Sequence, residues 1–164
     1  MSGFKKAYSI VGVVLLVELA LQFYLIAAAA LAVWGAKDNA TDVYSAFKVG
    51  DQFAGLHAVV GTFLIPLTIL VLIALSFGAR FPARTKGQTA GLFGLMVVQF
   101  LLGVVGSGGG TGLAVIGGLH GLNSLVIVGL SGSLVFRNWA FGAGRTQPQP
   151  GIGAQESPPR KRAA

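Results

Sequence analysis

The sequence predicts an all-α protein, an integral membrane four-helix bundle made of two similar hairpins. Three observations predict it. Of 164 residues, 54% are hydrophobic and only 10% are charged, far too little charge to cover a soluble domain. Four apolar runs lie along the chain, three of them longer than the roughly 20 residues that cross a hydrocarbon core. The basic residues gather at alternate ends of these runs, as they do where charge sets topology.

Span 1 runs from about Tyr8 to Trp34 and span 2 from Phe53 to Phe77. Span 3 is shorter, Gly91 to Gly106, and reaches crossing length only by borrowing Gln88 to Ala90 or part of the following Ser-Gly loop, so it covers about 89–106. Span 4 runs from Leu113 to Phe136. The connection from Gly35 to Gln52 is polar and has room for a short helix, whereas Ser107 to Gly112 is a glycine turn. A cleaved signal peptide in place of span 1 would explain its basic start and the alanines at 27–30. Its apolar stretch is too long for one, however, and is interrupted by Glu18 and Gln22. Residues 1–141 thus form the bundle. From 142 to 164 the chain is Gly, Pro, Gln and basic residues, a composition that cannot bury enough apolar surface to fold. We expect a disordered basic tail there.

Ten of the twelve basic residues fall on one side, among them Lys5, Lys6, Arg80, Arg84, Lys86 and Arg137. Only Lys37 and Lys48 fall on the other, next to Asp38, Asp42 and Asp51. The positive-inside rule then puts both termini in the cytoplasm; the expected location is a bacterial-type plasma membrane. The net charge of +7 is a topology signal on this reading. The partner it implies is the lipid bilayer, with no nucleic acid. The chain has no cysteine, which excludes disulfides and thiolate chemistry.

The two halves repeat. Span 1 carries Gln22-Phe23-Tyr24-Leu25 and span 3 carries Gln99-Phe100-Leu101-Leu102; span 2 opens with Gly55-Leu56-His57 and span 4 holds Gly118-Leu119-His120. The only two histidines therefore occupy equivalent places. Because both hairpins run in the same sense, the predicted relation is a parallel repeat about an axis along the membrane normal. Spans 2 and 4 then face each other across a square bundle, and their axes stand roughly 11–14 Å apart if neighbours pack at about 8–10 Å. Counted from the span edges at 1.5 Å per residue, His57 lies ~6 Å deep and His120 ~10 Å deep.

That gap suits two imidazoles with the iron of a flat macrocycle between them, so His57 and His120 are the candidate axial ligands of haem b. Small residues give a porphyrin clearance, and Gly61, Ser124 and Gly103 are the candidates for this. Gly61 and Ser124 each lie one turn beyond a histidine. The competing structural reading gives both histidines a hydrogen bond to a neighbouring helix and the glycines a role in packing. A zinc or copper site lacks donors: spans 2 to 4 contain no carboxylate and no third histidine. No nucleophile–base–acid set is present either, so no catalytic residue is assigned.

The stretch Gln99 to Gly106, a short outer turn and Gly118-Leu119-His120 together resemble one four-helix half of haem A synthase. That family has two such halves, each binding haem between a histidine of its second helix and one of its fourth, near the outer face. The resemblance covers roughly Gln22 to Phe136 and implies that His57 and His120 are axial ligands. Its catalytic half carries a glutamate three residues before the second-helix histidine, where this chain has Ala54, and this chain lacks the outer-loop cysteine pair. The resemblance therefore does not extend to haem A synthesis. The chain is also similar to small four-span bacterial membrane proteins of unassigned role. The expected function is haem binding for electron transfer or haem handling, with a respiratory complex subunit or quinone as partner. The alternative is a haem-free structural or assembly subunit.

Three further residues complete the expectation. Glu18 is the only acid inside a span, and Gln22 lies one turn on. With Gln99 they are expected to form an intramembrane polar network, Gln99 serving as the partner of Glu18. Asn123, three residues after His120, is placed either to fix the imidazole or to bond a helix. Pro66 is expected to kink span 2.

Overall fold

The computed structural model describes residues 3–38, 43–107 and 111–141. The tail expected to be disordered lies outside them. The described residues are helical nearly throughout: α1 Gly3–Asp38, α2 Val43–Val59, a π-helical turn Val60–Leu64, α3 Ile65–Gly78, α4 Ala83–Gly106 and α5 Thr111–Arg137. α2, the π turn and α3 form one continuous rod. Four rods result, each long and apolar enough to cross a membrane.

They run antiparallel in a ring. α1 packs against α2 and α3, α3 against α4, α4 against α5, and α5 back against α1. The start of α1 and the end of α5 therefore lie at one end of the bundle, here the terminal end. Only 33, 22, 22 and 17% of the four most apolar windows are buried inside the protein, so most of the apolar surface faces outward. Val17, Leu31, Phe63, Leu67 and Phe136 are among the exposed side chains.

The core fills the terminal half. Tyr8, Leu15 and Leu19 of α1 meet Ile65, Ile69 and Leu72 of α3, Leu92 and Met96 of α4, and Ile127 and Leu134 of α5. Polar ties close this end. The Tyr8 hydroxyl bonds Thr89 Oγ1 at 2.9 Å, and the Tyr8 ring meets Phe81 edge-on at 4.9 Å. Ser9 Oγ accepts from the Ala140 N–H at 2.9 Å and donates to the Asn138 carbonyl at 3.2 Å. A Cβ on Gly12 would lie 2.7 Å from Val135 Cγ2, so this glycine sets how closely α1 approaches α5.

The far half is built differently. α2 packs along α1 and has no comparable contact with α4 or α5. Gly50 lies against Val33 and the Ala29 carbonyl, and Gly106 against the backbone of Gly117. Each hairpin is tight within itself, and the two part above the core.

The helices run past the spans read from the sequence. α1 continues to Asp38, α2 starts at Val43 and α4 at Ala83. The expected short helix in the polar connection is the first turns of α2. Backbone hydrogen bonding does not stop where hydropathy does. Pro66 acts through the π turn: it sits in the first turn of α3, and the Ile65 N–H reaches back five residues to the Val60 carbonyl. Widening the turn accommodates the ring and the missing donor of proline. α3 ends in a Schellman turn, with Phe81 N–H bonded to the Ser76 carbonyl, Arg80 N–H to that of Phe77, and Arg80 at φ 54°.

Candidate functional site

A layer of polar side chains caps the core at the level where the hairpins part. Four helical rods contribute to it: Gln22 from α1, His57 from α2, Gln99 from α4, and His120, Asn123 and Ser124 from α5. Helical spacing orders the layer, since Ser124 lies four residues beyond His120 and Gly61 four beyond His57.

The two imidazoles face each other across the bundle, with ring centres 6.2 Å apart and planes inclined by 58°. Each is half-buried. Each is also tied to its own hairpin by the same bond. His57 Nδ1 lies 3.3 Å from the Gln22 carbonyl oxygen, and His120 Nδ1 lies 3.0 Å from the Gln99 carbonyl oxygen. A carbonyl can only accept, so both bonds require the proton on Nδ1. Each Nε2 is then left with its lone pair, the tautomer a metal-ligating imidazole needs.

The spacing can be tested against an iron. Nitrogen-to-iron bonds of about 2 Å, with roughly 1.1 Å more from each nitrogen to its ring centre, put the centres about 6 Å apart. The observed 6.2 Å between ring centres matches that spacing.

The remaining candidates lie around this pair. A Cβ on Gly103 would meet His120 Cε1 and Nδ1 at 3.2 Å, so the missing side chain makes room for the His120 ring. A Cβ on Gly61 would lie 3.4 Å from Gln22 Oε1, and Ser124 Oγ accepts from Gln99 Nε2 at 2.6 Å. These two positions thus face the glutamine of their own hairpin. Asn123 bonds a helix: its Nδ2 donates to Gln99 Oε1 at 2.7 Å and to the Leu95 carbonyl at 3.0 Å.

Glu18 stands apart from Gln99. It is 8% exposed, and its Oε1 accepts from Thr68 Oγ1 at 2.9 Å, so its partner is Thr68 of α3. Gln99 is held by Ser124 and Asn123 instead. The expected single network is thus two clusters, one within each hairpin. Glu18 Oε2 and Gln22 Nε2 are buried without a partner. Sequence reasoning missed Thr68 and the two glutamine carbonyls. A lone threonine in an apolar run carries no signal, but the matched Gln and His spacings already linked the residues whose carbonyls are used.

A family described as "Family of unknown function (DUF6220)" matches residues 45–106, less than half of the chain. The segment includes His57 and Gln99 and stops short of His120. No curated protein and no solved structure matches the chain; the likeness to haem A synthase therefore rests on the motif residues alone.

Proposed function

We propose that this chain is a four-span protein of a bacterial-type plasma membrane that holds haem b between His57 and His120. In this reading its two hairpins form a parallel repeat and the terminal end faces the cytoplasm. It transfers electrons, or handles haem, for a respiratory complex or the quinone pool. The observation that carries the reading is the pair of imidazoles 6.2 Å apart, each with Nδ1 tied to a backbone carbonyl. Helix packing alone needs one such bond per histidine. It does not need the two rings to converge.

Bound haem b supplies a one-electron couple. The chain's own residues hold and orient it. The Gln22 and Gln99 carbonyls fix the ring planes. Gly103 lets His120 lie back against α4. The core of Ile65, Met96 and Ile127 closes the site toward the terminal end and keeps water out. The outward apolar surface and the weight of basic residues at the terminal end support the placement in the bilayer.

A second reading has one observation in its favour. Each histidine already makes a helix-to-helix bond, worth about 0.6 kcal/mol in a membrane interior, and a haem-free assembly subunit needs no more. A reduced-minus-oxidised spectrum of the purified full-length protein separates the two. Haem binding gives sharp α and Soret bands, and the six-coordinate signature disappears in both His57→Ala and His120→Ala. A colourless protein that stays folded in both variants rejects haem.

A further inference from the structure

The two histidines are not held equally. His120 sits in a closed set of bonds. Its carbonyl partner, Gln99, has its own side chain clamped at both ends, by Ser124 Oγ at 2.6 Å and Asn123 Nδ2 at 2.7 Å. Ser124 donates on to the His120 carbonyl at 3.0 Å, and Asn123 ties the set to Leu95 of α4. The ring itself lies against Gly103. Turning His120 away would break several coupled bonds at once.

At the equivalent positions around His57 this clamp is missing. Val60 stands where Asn123 does, three residues past the histidine, and Gly61 stands where Ser124 does. The Gln22 side chain is accordingly left with its buried Nε2 unpartnered. The His57 bond is the longer of the two, at 3.3 Å against 3.0 Å. The backbone differs as well. His57 is on α2, which packs along α1 and has no comparable contact with α4 or α5, and the π turn begins at Val60, three residues on. Such turns are rare and frequently sit at functional sites.

We infer that His120 is the anchoring ligand and His57 the yielding one, so that the side of the site held by His57 opens to a small neutral diatomic molecule such as carbon monoxide. This rests on the proposed haem reading and adds a ligand class to it. The residues that decide it are those that differ between the hairpins, Val60 and Gly61 against Asn123 and Ser124.

The test uses full-length protein purified with its haem, in nanodiscs. His57→Ala should keep the haem, with the broad bands of a five-coordinate centre, and His120→Ala should lose it. Carbon monoxide should shift the Soret band of the reduced wild type. In the double variant Val60→Asn/Gly61→Ser, which rebuilds the clamp on Gln22, carbon monoxide should bind about tenfold more slowly, the equivalent of one or two added hydrogen bonds. A readout free of haem comes from ¹⁵N NMR of the imidazoles in the haem-free protein. There His120 should give one sharp Nδ1-protonated species, and His57 signals broadened by exchange.

Haem retained in His120→Ala but lost in His57→Ala, or lost equally from both, overturns the inference and leaves the haem reading intact. So does a wild type indifferent to carbon monoxide, or equally sharp imidazole signals. A wild type that takes up no haem at all overturns both.

Discussion

Glu18 keeps one carboxyl oxygen bonded to Thr68 and leaves the other buried without a partner. A buried polar group that loses its only donor costs about 1–3 kcal/mol, whereas replacing both partners by apolar groups of similar shape is nearly neutral. Thr68→Val should therefore destabilise the protein by about 1–3 kcal/mol. The double variant Glu18→Leu/Thr68→Val should return to within about 1 kcal/mol of the wild type, with leucine joining Leu15 and Leu19. Unfolding in mixed micelles measures both. A double variant that is stable but lacks the haem spectrum would make Glu18 part of the site; one as unstable as the single variant would mean its carboxyl has a partner of its own. At this scale the sequence carried part of the site. His57 and His120 could be paired because they are the only histidines and sit in matched motifs. The partner of Glu18 could not be read, because Thr68 lies fifty positions away and a hydroxyl in an apolar run has no period or spacing to mark it. Gly61, Ser124 and Gly103 were legible as small residues close to the histidines. Which bulk each one accommodates, a glutamine side chain or an imidazole, depends on the approach of a neighbouring helix that no single sequence states.

Hairpin packing turns on a few glycines where backbones touch. A Cβ on Gly106 would lie 2.9 Å from the Cα and N of Gly117, and backbone cannot swing aside as a flexible side chain can. Gly106→Ala must push α4 and α5 apart at their connected ends, at a cost of about 1–3 kcal/mol. Gly91→Ala, with nothing within 4 Å of the added carbon, should be neutral or slightly stabilising, since alanine gains in helix propensity. Comparing the two by thermal unfolding in detergent checks the contact. An equal effect would mean that the hairpin does not close at Gly106. The elements themselves were legible because an apolar run of crossing length has few alternatives to a helix when its backbone bonds must close internally. Their ends were not, because helix continues into polar sequence, as α1 does to Asp38 and α2 from Val43. Pro66 pointed to a disturbance in the second rod. Its form, a widened turn at Val60–Leu64, depends on which carbonyls give way and is not encoded by the proline alone.

Across the whole molecule the charge is as unequal as the packing. Lys5, Lys6, Arg80, Arg84, Lys86 and Arg137 lie at the terminal end, with the core beneath them, and Lys48 and Asp51 lie at the far end, where the hairpins part. Two of these cations rest on aromatic faces, Lys5 6.0 Å from the centre of Phe81 and Lys86 5.0 Å from that of Phe77. This keeps the amino groups at the rim while their stems cover apolar surface. If this asymmetry orients the bundle, the histidine pair belongs to the outer half of the bilayer, and any redox partner or small ligand approaches from outside the cytoplasm. The chain has no cysteine, so single cysteines report on orientation without background. In intact bacterial cells a membrane-impermeant maleimide should label Lys48→Cys, whereas Arg84→Cys should react only after the membrane is permeabilised. Replacing Arg80, Arg84 and Lys86 together by neutral residues removes the cations between the second and third helices. It should produce a mixed population in which both sites label in part, because these residues contribute half of the cations at the described terminal end. The reverse labelling of the two single-cysteine variants would place the paired imidazoles in the cytoplasmic half, and their partners would then have to be sought on that side.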